Sequence, residues 1–204
     1  YTVSLAGHDW EAALVTPMKE SPDRKWNSDR GMSEQAKTLV NPGAASDLWQ
    51  EVWVPAYMEA YGPKWKWVDG EAVFRKTIDW PAYAVGKPAF LSVGRVDVRE
   101  TSFVNGQEVG SSNDWILPRG HPLPADILKA GENTVTLRVF DSGIHGGISG
   151  TPEYLYLAVE GGDPGFYHPD YLDDDVSRSG KKADWQRRRQ QWKIADNPYR
   201  YYRW

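Results

Sequence analysis

Three runs of sequence decide the fold: VDGEAVFRKTIDWPA (68–82), FLSVGRVDVRETSFVNGQEVGSSNDWILPR (90–119) and ILKAGENTVTLRVFDSGIHGGISG (127–150). In the last, Val135, Leu137 and Val139 alternate with Thr136 and Arg138, the period of a strand with one buried face. In the first, Ala72, Phe74 and Lys76 fall on one side, and Val73, Arg75 and Thr77 on the other. Asn105-Gly106, followed by QEVG, is the strongest short-range hairpin signal, because both residues tolerate positive φ. Strands separated by tight turns point to an all-β chain.

Outward from this stretch the pattern continues. Residues 1–15 read as an opening strand broken near Gly7, with Trp10 a core or sheet-covering residue. Residues 16–47 are rich in Pro, Ser, Asp, Asn and Gly and read as a long excursion, with a short helical turn around Ser33–Leu39. Trp26 is its one feature of interest. A strand from Leu48 to Val54 ends at Pro55, which cannot donate to a ladder. The turn after it is expected to pack Tyr57, Met58 and Tyr61 inward. Residues 111–124 (SSNDWILPRGHPLP) read as a loop, 141–150 as a flexible glycine loop and EYLYLAV (153–159) as the closing strand. After Gly161 the composition changes: an acidic, turn-forming run is followed by ADWQRRRQQWK (183–193), readable as one basic helix. We therefore expect an antiparallel β-sandwich over residues 1–161 and a linker or C-terminal extension over 162–204.

Composition bounds the function. The chain has 204 residues, 40% hydrophobic and 25% charged, as in an ordinary globular protein. Its net charge of −4 argues against a nucleic-acid or anionic-membrane partner, and no apolar run approaches the roughly 20 residues that span a bilayer. With no cysteine there is neither a disulfide framework nor a thiolate metal site. The first residue is Tyr1 rather than Met, as expected of a processed or excised piece. The unusual feature is 11 Trp and 11 Tyr against only 5 Phe. Trp and Tyr combine a flat apolar face with a polar edge, which suits surfaces that stay half wet, sugar-binding surfaces among them.

Three chemistries are weighed on the residues themselves. Asp141, Ser142 and His145 are close in sequence, but a triad needs its base fixed by a third group on rigid elements. A glycine loop without a G-x-S-x-G elbow favours turn-forming roles instead. His8, His121, His145 and His168 show no metal-ligand spacing, and the Asp173–Asp175 run reads as solvated linker before it reads as a Ca2+ site. A sugar site is the sharper expectation. It needs an aromatic face and planar polar groups that bridge vicinal hydroxyls, and Trp115 with Asn113, Asp114, Arg119 and His121 supplies both. The opposing reading packs Trp115 on the sheet and uses Arg119 to fix the loop; the two weigh about equally. Trp65 and Trp67, two apart, are a second platform of which at most one ring is expected to be free, and His145 is a neighbouring contributor. Arg187, Arg188 and Arg189 read as the solvated face of a tail helix.

The segment WQEVWVPAYME (49–59) and Asp69-Gly70 before Phe74-Arg75-Lys76 begin a series of matching elements. It continues through Asp97, Asn105-Gly106, Asn113, Trp115, Pro118-Arg119, LKAGENTVTLRV (128–139), Asp141 and Gly146-Gly147-Ile148. This series resembles the galactose-binding-like β-sandwich (jelly-roll) domain of sialate O-acetylesterase-type polysaccharide esterases. More loosely, it is similar to the amino-terminal sandwich of family 2 glycoside hydrolases. The resemblance spans about Leu48 to Val159 and departs at Val73, His145 and Ser149. It implies a non-catalytic carbohydrate-binding module of a secreted or periplasmic polysaccharide-degrading enzyme, beside a separate catalytic domain and with poly- or oligosaccharide as partner. The alternative is a structural domain that braces the catalytic unit and binds no glycan. A structural Ca2+ is the one cofactor that sandwiches of this class leave open.

Overall fold

The alternation in 131–141 does what it predicts: Val135, Leu137 and Val139 point into the main apolar core. The computed structural model describes residues 1–19, 26–66, 68–115 and 118–159. Twelve strands, β1 (Thr2–Ser4), β2 (Gly7–Lys19), β3 (Gln50–Val54), β4 (Ala56–Tyr57), β5 (Val68–Trp80), β6 (Ala89–Asp97), β7 (Arg99–Val104), β8 (Gln107–Ser112), β9 (Arg119–Leu123), β10 (Gly131–Asp141), β11 (Gly147–Ser149) and β12 (Leu155–Val159), form two antiparallel six-stranded sheets. One runs in the order β3-β2-β5-β10-β7-β8. The other is built on β6, which pairs with β12, β11 and β9, while β1 and β4 extend it. This is an antiparallel all-β sandwich.

Its core takes side chains from both sheets: Phe74, Val104 and Leu137 from one, and Leu91, Val93, Val96, Ile148 and Leu157 from the other, with Trp10, Trp65 and Trp80 fully buried among them. Each buried aliphatic side chain contributes about 1.5–3 kcal/mol. The Trp10 indole satisfies its own donor on Leu5 O at 2.6 Å. The break at Gly7 transfers the chain from one sheet (β1) to the other (β2).

Strand β5 is covered on both faces. Ala72 and Phe74 join the main core, while Val73 packs under helix α1 (Glu34–Leu39) with Ala36 and Leu39. The helix begins where expected, at an N-cap Ser33 whose Oγ accepts from Ala36 N at 3.2 Å. Asn105 (φ 51°) and Gly106 (φ 82°) form the β7–β8 hairpin. The Asn105 amide also donates to Ile127 O and Asn133 Oδ1, tying the turn to the approach to β10.

Several expectations change. Strand β2 runs through Pro17 to Lys19, because Pro17 lies opposite Gly70, whose missing Cβ lets the strands approach closely. Residues 119–123 form β9 rather than loop; as an edge strand it tolerates Pro122, which has no donor to lose. Gly147–Ser149 form β11 inside the expected glycine loop, where any Cβ on Gly147 would crowd Ala56 O and Met58. Met58 and Tyr61 point inward, but Tyr57 faces out because Gly147 pairs with its backbone on the sheet edge. Residues 162–204, with His168, Asp173–Asp175, Trp185, Arg187–Arg189 and Trp192, lie outside the described residues. Among the described residues no helix is long and apolar enough to cross a membrane.

Candidate functional site

The antiparallel order gathers five segments at one end of the sandwich. These are the β6–β7 corner (Asp97–Arg99), the β8–β9 loop around Trp115, the β10–β11 loop (142–146), the start of β5 at Asp69 and the turn Tyr57–Glu59. The excursion 26–33 joins them. Asn27 N donates to Ser142 O at 2.7 Å, Asn27 Nδ2 donates to Asp69 Oδ2 at 2.7 Å, and the Trp26 ring lies over Gly143.

Exposed aromatic surface concentrates here. Trp26 is 62% exposed, Trp115 53% and Tyr57 43%, and the Tyr57 and His145 rings lie 5.3 Å apart at 41°. The other exposed aromatics among the described residues, Tyr1 and Tyr83, sit at the opposite end beside Trp80, where Tyr1 Oη donates to Asp79 O. Neither Trp26 nor Tyr57 stands among the residues expected from sequence. Trp26 had no periodic neighbours to place it, and Tyr57 read as an inward residue of a helical turn.

The Trp115 loop is built from below. Arg119, at the start of β9, is buried and donates to Asp114 O (Nε, 2.5 Å, and also Nη2), to Val98 O (Nη2, 2.5 Å) and to Ser112 O (Nη1, 3.4 Å). The planar guanidinium fork thus reaches three carbonyls at once, those of Val98 and Asp114 between strands and that of Ser112 at the end of β8. Burial pulls the group down to about 10, against the opposing pull of Glu100, Asp114 and Asp97, so it stays charged at neutral pH. Beneath it the fully buried Glu100 accepts from Ser102 Oγ and meets His121 Nε2 at 3.0 Å.

Three of the side chains expected to meet a ligand are buried. Arg119 and His121 are buried and committed to the loop and to Glu100. Trp65 is fully buried, its indole donating to Gln50 Oε1 at 3.1 Å, and offers no free face. Trp67 lies outside the described residues. Asn113 and Trp115 remain exposed and Asp114 half-buried, while His145 stands exposed on the β10–β11 loop.

Under this rim lie carboxyl groups, of which the sequence reading named Asp97 and Asp141 without a binding role and did not name Glu59. Asp141 ends β10 fully buried; its Oδ1 accepts from Gly143 N at 2.8 Å, and its Oδ2 has no hydrogen-bond partner. Burial pushes it up to about 7, and the nearby charges of Asp69, Glu59 and Asp97 push the same way. Burial also raises Glu59, whose Oε1 accepts from Gly146 N at 3.3 Å and lies 3.8 Å from His145 Nδ1, while its Oε2 is unpartnered. Asp97 is raised too, by burial against the pull of Arg95, Arg119 and His145. No group of three or more His, Asp or Glu among the described residues is arranged to hold a metal ion. Asp141, Ser142 and His145 do not form a triad: the carboxylate serves the turn, and His145 faces Glu59 and Tyr57.

Neither a protein-family model nor a curated protein matches the chain. Solved structures do. A Ruminococcus gnavus β-glucuronidase is similar over 69% of this chain and 21% of its own, with 20% identity and a TM-score of 0.53. A GH2 β-galacturonidase from Eisenbergiella tayi matches 78% of this chain and 24% of its own, with 16% identity and a TM-score of 0.53. A Bacteroides uniformis β-glucuronidase 2 matches 78% and 18%, with 16% identity and a TM-score of 0.55. At these identities the likeness is one of fold. The chain spans about a fifth of the length of these glycosidases, and it meets the looser of the two resemblances read from the sequence.

Proposed function

We propose that this chain is a non-catalytic β-sandwich unit of a carbohydrate-active hydrolase, and that the end bearing Trp26, Tyr57, Trp115 and His145 is its glycan-contacting end. One observation carries the reading: exposed rings from four separate segments of the chain converge there over buried acceptors. Flat, half-wet rings stack on the C–H faces of a sugar, while Asn113 and Asp114 offer groups for its hydroxyls. Arg119 and His121 support this end by shaping the Trp115 loop. The fold likeness to portions of glycosidases supports the assignment to a larger carbohydrate-active enzyme; action on polysaccharide outside the cytoplasm is part of the proposal and rests on the sequence resemblance alone.

The second reading keeps the parent enzyme and changes the partner: the same rings pack against its catalytic unit and bind no glycan. The small share of each glycosidase that the chain matches favours it. Affinity electrophoresis of the intact chain through a panel of plant, algal and host polysaccharides separates the two. Retardation by at least one glycan, reduced about tenfold or more in Trp115→Ala or Trp26→Ala, is expected. Absence of retardation by the whole panel would leave the bracing role standing in its place.

A further inference from the structure

The run LYLAV of β12 is buried at every position, and so are the first six residues of β6, AFLSVG. A strand with one wet face alternates, whereas a near-continuous apolar run belongs to a strand covered on both faces. The first cover is the main core, which takes Leu91, Val93, Leu155 and Leu157. The residues between them point the other way. Phe90 lies opposite Ala158 and Ser92 opposite Tyr156, and Phe90, Tyr156 and Ala158 form an apolar cluster of their own, 6%, 3% and 2% exposed. The Phe90 ring carries the cluster across to β9, where a Cβ on Gly120 would run into Cε1 and Cζ of that ring. The Ser92 hydroxyl is spent on Tyr154 O at 2.6 Å.

The described chain outside the strands is engaged elsewhere. Helix α1, with Met32, Leu48 and Trp49, covers the outer face of the other sheet around Ala13, Val73 and Phe103. Of the described elements outside the two sheets, only the turn Pro152–Tyr154 makes a substantial contact with β6. The position of the cluster narrows the choice of cover further. Val159, one residue past Ala158, pairs with Ala89, and its N–H donates to Tyr1 O at 2.9 Å, so residues 160–204 depart from beside the cluster. The flanks of 20–25, 67 and 116–117 stand at the glycan-contacting end instead: Lys19 opposite Val68, Trp26 over Gly143, and Trp115.

We infer that the outward face of β6 and β12 is the seat of the chain's own residues 160–204, anchored by Phe166 and Tyr167. Gly161–Gly165 (GGDPG) is turn-forming sequence, and it makes these two side chains the first aromatic ones able to return over Ala158 and Tyr156, two residues or about 7 Å apart along β12. Their rings cover what would otherwise be an apolar patch on an open sheet face. The seat is separate from the rim that carries Trp26 and Trp115, so the inference stands or falls independently of glycan binding.

The chain has no cysteine, so a single introduced thiol reports on one position alone. In the intact chain, Ala158→Cys is expected to react with a maleimide at least about tenfold more slowly than the exposed control Gln107→Cys, at every protein concentration. Adding Phe166→Ser/Tyr167→Ser should remove most of that protection. Val135→Cys, in the main core, should stay unreactive in the same background and so report that the sandwich is folded. If Val135→Cys becomes reactive as well, the double variant has unfolded, and Phe166→Ala and Tyr167→Ala decide by the same comparison. Labelling of Ala158→Cys at the control rate overturns the inference, as does protection that survives the loss of both aromatic side chains. Protection that disappears on dilution also overturns it, because the cover is then a second copy of the chain.

Discussion

Arg138 grips Asp29 with both terminal nitrogens, Nη1 to Oδ2 at 2.6 Å and Nη2 to Oδ1 at 2.8 Å, across 109 residues of chain. Its Nε reaches Glu71 Oε1 at 2.7 Å, and Nη2 also donates to Gly31 O. This one outward-facing side chain of β10 therefore pins the excursion 26–33 to the sheet, and with it Trp26 to the rim. Such a bidentate pair is more directional than a lysine contact could be.

Removing Arg138 should be costly. Arg138→Leu leaves Glu71 and Asp29 without their shared cation, and breaking buried pairs of this kind costs about 3–5 kcal/mol. Urea unfolding at neutral pH measures the loss. The Trp26 emission should also shift toward that of a solvent-exposed indole, and an unchanged urea midpoint would contradict the anchoring role.

The pH dependence has two components of opposite sign. The hydrogen bond from Arg138 holds Asp29 below its ordinary value of 3.8, so its contribution is present at neutral pH and lost as pH falls through its folded pKa. Asp141 behaves the other way. Its folded value of about 7 lies above the ordinary 3.8, so stability is fullest below about 4 and declines as pH rises through 7. Asp141→Asn removes that titration and should be more stable than wild type at pH 8, by an amount of the order of 4 kcal/mol for about three units at about 1.36 kcal/mol per unit, yet close to wild type at pH 4. Unfolding midpoints across this range decide it; parallel profiles for the two proteins would refute the assignment to Asp141.

Arg119→Lys should loosen the Trp115 loop without unfolding the sandwich. A single ammonium cannot span Asp114 O, Ser112 O and Val98 O, so at least one buried carbonyl loses its donor, at about 1–3 kcal/mol. Limited proteolysis should cut within 112–118 in the variant first, whereas resistance equal to wild type would mean that the guanidinium does not hold the loop.

Gly146→Ala tests the packing of the β10–β11 loop on the buried carboxylate. An added Cβ would lie 2.5 Å from both Cβ and Cγ of Asp141, so one of them must move. Overpacking of this kind costs about 1–3 kcal/mol, readable as a lower thermal midpoint.

Much of the sheet was legible because local signals agreed. Alternation around Val135–Val139, the Asn105-Gly106 turn and Pro55 each have one natural reading, and the hydrophobic pattern fixed which face of β10 is buried. The site was less legible because its residues meet only through tertiary structure. Trp26 and Gly143 are far apart in sequence, and nothing local says that one covers the other. Arg119 carries the chemistry of a sugar-binding residue and that of a loop brace, and only burial separates them. Asp141 looks like a turn former and is one, but its orphaned oxygen follows from what closes over it. Trp65 shows the same limit: two-residue spacing in extended chain does not say which side is core.

The central claim is that one end of the sandwich contacts glycan through Trp26 and Trp115. The most direct measurement follows the indole N–H resonances of the 11 tryptophans by NMR while a retarding glycan is titrated into the intact chain. The account predicts that the resonances of Trp26 and Trp115, assigned through Trp26→Phe and Trp115→Phe, shift with saturation, while those of the buried Trp10, Trp65 and Trp80 stay in place. Saturable binding that leaves Trp26 and Trp115 unmoved, or that perturbs Trp80 at the opposite end instead, would contradict it.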